Sequence, residues 1–282
     1  MAPSDYFRGK RVVVTGGSSG IGYAFAARVV ALGADVALVA RRRSVLDEAR
    51  KQLLALRSDA RVTVLELDVA DAAAVERTMT AHLAAEGADI LVNNAGIVMP
   101  GRFVDLPAAE FRRMMDVNYF GTVHMSKVVV PHLVARRGGH VLNVSSLAGV
   151  LGIYGYTAYA GSKFAVVGFS QALRAELWPY GVRVSLCLPP DTDTPQLAFE
   201  NLHKPAETKA IAGTVKTLSP EVVAQAMVSG MARGDFEIYP NLASRLVAFG
   251  QAVLPGVARR VCDAAQRKAA PAPSVDGGTG RM

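Results

Sequence analysis

Short apolar runs rich in β-branched residues alternate along this chain with helix-length segments, and that alternation leaves few folds open. Val12-Val13-Val14 precedes a helical pattern from Ile21 to Leu32, Val36 to Val39 precedes Leu46 to Leu56, and Val62 to Leu67 precedes Ala72 to Ala85. The series continues with Ile90-Leu91-Val92, a helix from about Pro107 to Ala135, Val141-Leu142-Asn143-Val144, a helix carrying Tyr159, and Val182 to Leu188. Pro220 to Ala232 reads as a further helix and Phe236-Glu237-Ile238-Tyr239 as a last strand. Strands that are apolar on both faces need cover on both sides, which a parallel sheet between two helical layers supplies. The expected fold is α/β, a single Rossmann-like doubly wound parallel sheet of about seven strands. In such sheets ligands bind beyond the carboxyl ends of the strands.

At 282 residues and 51% hydrophobic content the chain can bury one large core. The formal charge of +7 is dispersed, with local clusters at Arg41-Arg42-Arg43, Arg136-Arg137 and Arg259-Arg260. No zinc spacing or aromatic RNA-binding motif accompanies them, so no nucleic-acid partner is expected; a phosphorylated cofactor or an anionic membrane surface accounts for the excess. Two cysteines, Cys187 and Cys262, and five histidines without ligand spacing imply neither a disulfide framework nor a metal site. The first residues form no signal peptide or membrane span, and a reducing, cytoplasmic compartment is expected.

Every chemistry-bearing motif follows a strand. Thr15-Gly16-Gly17-Ser18-Ser19-Gly20-Ile21-Gly22 turns from the first strand into the first helix. Glycines there allow a tight turn and close approach of a pyrophosphate to a helix N-terminus, whose free N–H groups favour anions. At the end of the second strand stand Arg41 and Arg42, where an acid would accept the ribose hydroxyls of NAD. Arginine pairs instead with a 2′-phosphate, so the expected cofactor is NADPH/NADP+, with Arg41 the main contact. Asp68-Val69 follows the third strand; Asp68 suits an adenine amine or a helix cap equally. Asn94, Ala95 and Gly96 end the fourth strand and suit a turn as well as a site. Tyr159 and Lys163 lie four residues apart on one helix face. A phenol is protonated at neutral pH and can donate; a nearby ammonium favours tyrosinate and tunes it.

Taken together and in this order, the glycine turn, Asn93-Asn94-Ala95-Gly96 and Tyr159 to Lys163 resemble the short-chain dehydrogenase/reductase family over roughly residues 8 to 240. The resemblance implies a catalytic tetrad of Asn118, Ser146, Tyr159 and Lys163, with Ser145 a close rival to Ser146. Nicotinamide would deliver hydride to a carbonyl carbon while Tyr159 protonates the alkoxide and Ser146 donates to the same oxygen. Lys163 would hold the nicotinamide ribose, and Asn118 would fix a water in a proton relay. The resemblance also implies a homodimer or homotetramer built on the helices near 107 to 135 and 156 to 178.

After the sixth strand, Pro189-Pro190-Asp191-Thr192-Asp193-Thr194-Pro195 departs from the family's usual Pro-Gly, and Pro190 stiffens the turn. Pro189, Thr192 and Thr194 join the expected cofactor contacts. This segment, Lys204-Pro205-Ala206-Glu207-Thr208 and Gly17-Ser18-Ser19 resemble the family's 3-ketodihydrosphingosine reductase branch. That branch implies a long-chain sphingoid keto-base as substrate; another apolar ketone, such as a 3-oxoacyl thioester or a steroid, and a non-catalytic cofactor-binding sensor stay open as alternatives. Residues 196 to 218, with Leu197, Phe199, Leu202, Ile211 and Val215, read as a helical lid, and Val150 to Tyr154 as a second wall of an acyl channel. The expected organisation is a Rossmann domain over 1–240, a helical extension over 241–268 and a disordered tail over 269–282. Within the extension, Leu246 to Ala258 is uncharged, flanked by Arg245 and Arg259-Arg260, and broken by Pro255-Gly256. It suits an interfacial helix giving peripheral membrane association, or a subunit contact.

Overall fold

The computed structural model describes residues 1–212 and 216–269. Val215 and the tail beyond Ala269 lie outside the described residues. The short helix α1 (Pro3–Phe7) leads into β1 (Arg11–Thr15), followed by α2 (Gly20–Ala31), β2 (Asp35–Ala40), α3 (Arg43–Leu56), β3 (Val62–Glu66), α4 (Ala72–Ala85) and β4 (Ile90–Asn93). The second half runs through α5 (Ala108–Met114), a π-helical stretch Met115–Phe120, α6 (Gly121–Ala135), β5 (Gly139–Val144), α7 (Thr157–Leu177), β6 (Val182–Cys187), α8 (Pro195–His203), α9 (Ala206–Ala212), α10 (Pro220–Arg233) and β7 (Glu237–Ile238). Two more helices follow, α11 (Leu242–Val253) and α12 (Pro255–Ala269).

All seven strands pair in parallel in the order β3-β2-β1-β4-β5-β6-β7. The order reverses beside β1, so the switch point lies between β1 and β4, where such sheets open a ligand crevice. Successive strand residues point to opposite faces. Val12 and Val14 therefore pack with Phe25, Val29 and Met227 on one side, while Val13 packs with Met79, Leu91 and Val129 on the other. This two-sided burial explains why the strands read as continuous apolar runs.

Two polar links tie the site to the sheet. Asn93 and Asn143 are register partners on β4 and β5, and Asn93 Nδ2 donates to Asn143 Oδ1 at 2.9 Å. Asn143 Nδ2 in turn donates to Ser170 Oγ at 2.9 Å, which anchors α7.

The helix expected from Pro107 to Ala135 is broken in character at Met115–Phe120, where a π-helical turn carries Asn118. Such turns widen the helix by one residue and re-aim a side chain. Spacing alone does not reveal it, because apolar periodicity continues on both sides.

Candidate active site

The glycine turn is shaped for a phosphate. Gly16 and Gly20 adopt positive φ of 63° and 55°, conformations that side-chain-bearing residues rarely take. Ser19 precedes α2 with no side-chain cap, so the first N–H groups of α2 meet no capping side chain. Ser18 and Ile21 are half-buried along the same turn. A Cβ on Gly22 would collide with the Gly16 carbonyl oxygen and the Asn94 amide. These features fit a dinucleotide pyrophosphate: bare donors, a helix dipole and no side chain in the approach path.

Asn94 holds this turn from the other side of the switch point. Its Nδ2 donates to Thr15 O at 3.0 Å and its N–H to Thr15 Oγ1 at 2.9 Å; the Ala95 N–H donates to the same hydroxyl at 3.0 Å. Thr15 thus stitches the two strand ends together, a positioning role that its place beside the glycines signals only weakly. A Cβ on Gly96 would lie 3.3 Å from Asn118 Oδ1 and 3.4 Å from Lys163 Nζ, so its bare backbone leaves those two side chains room.

Arg41 is exposed just past β2, with Nη1 3.9 Å from Asp68 Oδ2. Arg42 immediately precedes α3. Asp68 caps no helix: Asp71 accepts from Ala74 at the start of α4, while Asp68 Oδ1 accepts from Ala70 N–H at 3.0 Å. Val69 is buried in the core, and its carbonyl accepts from His124 Nδ1 at 2.9 Å.

One cavity of about 470 Å³ is lined both by Gly16, Ser19, Gly20, Ile21 and Asn94 to Gly96 and by Ser146, Tyr159 and Lys163. Ser145 and Ser146 both touch it, with different engagements. Ser145 Oγ donates to the Lys163 carbonyl at 2.9 Å, whereas the Ser146 hydroxyl acts on the Tyr159 phenol. Ser146 Oγ also accepts from Ala148 N–H at 3.1 Å, which sets its rotamer. Burial is the largest influence on Tyr159 and holds its proton on well above the usual tyrosine range, reinforced by Glu200. Lys163 Nζ donates to Val144 O at 3.1 Å and stands 5.8 Å from the ring centre, and burial pushes its pKa down to about 8.

Asn118 is held by protein contacts. It is buried, Nδ2 donates to Ile97 O at 3.0 Å and to Ser162 Oγ at 2.8 Å, and Oδ1 accepts from Ile97 N–H at 2.8 Å. Both amide hydrogens are spent on protein, so the side chain clamps the Gly96-Ile97 segment to α7.

Pro189 and Thr192 line the cavity, and the Pro189 carbonyl accepts from Leu147 N–H at 3.0 Å. Thr194 also lines it and caps α8, its Oγ1 accepting from Leu197 N–H at 3.2 Å. Leu151, Ile153, Leu197 and Ile211 contribute apolar wall, whereas Phe199 and Leu202 are exposed. Beyond the lid the cavity continues along Leu246, Leu254, Val257 and Val261. The extension after residue 240 is therefore part of the cavity wall. Its periodicity shows an apolar face without showing where that face lands.

Residues 10–204 match the family model described as short chain dehydrogenase. The 3-ketodihydrosphingosine reductase of Bos taurus is 43% identical over 232 residues, 81% of this chain and 70% of that protein. Among solved structures, a short-chain dehydrogenase from Sphingobium yanoikuyae in complex with NADPH aligns with a TM-score of 0.75 at 27% identity, covering 94% of this chain and 98% of that one. A family member from Burkholderia phymatum in complex with NAD aligns at 0.76 and 26% identity, covering 94% and 97%. The chain belongs to the short-chain dehydrogenase/reductase family. It is an oxidoreductase that works with a nicotinamide dinucleotide.

Proposed function

We propose that this enzyme reduces 3-ketodihydrosphingosine to dihydrosphingosine with NADPH, a step of sphingolipid synthesis. The observation that carries the reading is the shared cavity, whose lining brings Tyr159 and Ser146 together with the glycine turn and a long apolar wall. The similarity to curated 3-ketodihydrosphingosine reductases supports this choice of ketone. The bound cofactor supplies a hydride to the carbonyl carbon. Ser146 donates to the carbonyl oxygen, and Tyr159 gives its proton to the same oxygen as negative charge develops there. Lys163 and the clamped Gly96 backbone position the nicotinamide side, and Gly16 to Gly22 take the pyrophosphate. Leu151, Leu197, Ile211 and Leu254 exclude water and take up the alkyl chain, each buried methylene contributing about 0.8 kcal/mol. Preference for NADPH rests on Arg41 and Arg42, whose position after β2 suits a 2′-phosphate.

The decisive experiment is a ketone panel with NADPH oxidation as readout. Turnover of 3-ketodihydrosphingosine well above that of a 3-oxoacyl thioester or a steroid ketone is expected; the reverse order would sink the substrate assignment.

The proposal extends to a lipid surface. Leu246, Phe249, Leu254, Val257 and Val261 are exposed on α11 and α12 beside exposed Arg245, Arg259 and Arg260, and several of them also rim the cavity. Among the described residues no helix is long and apolar enough to cross a membrane. An interfacial helix pair over anionic lipid would hand a membrane-borne ketone to the cavity mouth. Cosedimentation with anionic vesicles that drops on Phe249→Glu supports this, and unchanged cosedimentation refutes it.

A further inference from the structure

Glu200 is a carboxylate that hydride transfer does not require, yet it lines the cavity with Tyr159 and Ser146 and is only 7% exposed. Its Oε2 accepts from the Tyr156 hydroxyl at 2.6 Å, and the Tyr156 and Tyr159 rings are 5.4 Å apart. Gln196 Nε2 donates to the other oxygen at 3.4 Å. One turn further on, Lys204 has a fully buried side chain whose Nζ stands 2.6 Å from Asp191 Oδ2 and 3.5 Å from Glu200 Oε2. Asp191 and Glu200 line the cavity, while Lys204 sits behind them. Two carboxylates thus share one fixed ammonium. When both are ionised the group carries one uncompensated negative charge, in a pocket where unpaired charge is costly. Burial raises the Glu200 pKa, and the Tyr156 and Lys204 contacts oppose it. Lys163 feels the Glu200 charge, but its contact is the Val144 carbonyl.

We propose that Glu200, steadied by Tyr156, is the specificity-determining residue that pairs with an ammonium on the carbon next to the reacting carbonyl. The inference rests on the proposed function, because 3-ketodihydrosphingosine carries a primary amine at that carbon. A 3-oxoacyl thioester or a steroid ketone carries no such cation. The alkyl chain then runs from Tyr159 along the apolar wall, while the amine turns toward α8.

The test compares 3-ketodihydrosphingosine with 1-hydroxyoctadecan-3-one, which keeps ketone, hydroxyl and chain but lacks the amine. Wild-type enzyme is expected to favour the amine in KM, and Glu200→Gln to raise the amine's KM about tenfold or more. The KM of the deamino ketone should barely move, so that any change in kcat through the Tyr159 phenol falls on both ketones alike. Equal losses on both ketones overturn the proposal and leave Glu200 a packing residue of the lid. A wild-type enzyme that binds the deamino ketone as tightly as the amine also overturns it, while long-chain ketone reduction stands. Failure to reduce either ketone removes the proposed function and this assignment with it. A comparison without any variant uses product inhibition of the wild type: dihydrosphingosine is expected to inhibit more tightly than its N-acetyl derivative, and equal inhibition counts against the pairing.

Discussion

Nζ of Lys163 stands 5.8 Å from the centre of the Tyr159 ring and donates to the Val144 carbonyl at 3.1 Å. Burial and nearby carboxylates hold the Tyr159 proton on, which makes the group an acid at neutral pH. Tyr159→Phe removes that proton and little else. Loss of kcat by about 10²- to 10⁴-fold is expected, the usual contribution of a positioned general acid. NADPH titration followed by fluorescence should show unchanged binding; surviving activity would remove Tyr159 from its role.

Arg41 offers the exposed guanidinium at the end of β2, with Nη1 3.9 Å from Asp68 Oδ2. A charge-assisted bond to the 2′-phosphate is worth about 1.5 to 3 kcal/mol, or roughly 10- to 100-fold in affinity. Arg41→Ala should weaken NADPH by that factor and leave NADH nearly unchanged. Equal losses for both cofactors in parallel titrations would refute the phosphate contact.

Gly22 has no room for a side chain, since a Cβ would strike the Gly16 carbonyl and the Asn94 amide. Gly22→Ala must push the glycine turn away from Asn94 and so disturb both strand ends at the switch point. A cost of about 1 to 3 kcal/mol in chemical denaturation is expected, together with lost cofactor binding. A variant that binds NADPH normally would show that the turn can shift freely.

His140 is buried between Tyr6, whose hydroxyl lies 2.6 Å from Nδ1, and Ser185, whose Oγ lies 2.8 Å from Nε2. Burial, with Arg183 adding to it, pushes its pKa down to about 3. The folded pKa is below the unfolded value of about 6.5, so His140 stabilises fully above that value, and this contribution is lost as pH falls from there toward 3. His82 and His132 shift in the same direction, both mainly through burial, and add to the slope. Denaturation midpoints at pH 7 and pH 5 should differ less in His140→Gln than in the wild type. An identical pH difference would mean that His140 does not titrate in this range.

Local pattern carried the fold and the shared helix face of Tyr159 and Lys163. Alternating apolar runs imply the parallel sheet because both faces of each strand need cover, and a four-residue interval puts Tyr159 and Lys163 on one helix face whatever surrounds them. Glycine in the β1 to α2 turn is legible for the same reason, as φ and steric room are properties of a few consecutive residues. Only tertiary packing decided the rest. Asn118 became a clamp because a π-helical turn aims it at Ile97 and Ser162, Lys163 was drawn to Val144, and α11 and α12 folded back to close the cavity. Glu200, Lys204 and Asp191 look like ordinary lid charges in sequence. They meet inside the protein because elements distant along the chain pack together there, and the exclusion of water that gives their charges force exists only once that packing is complete.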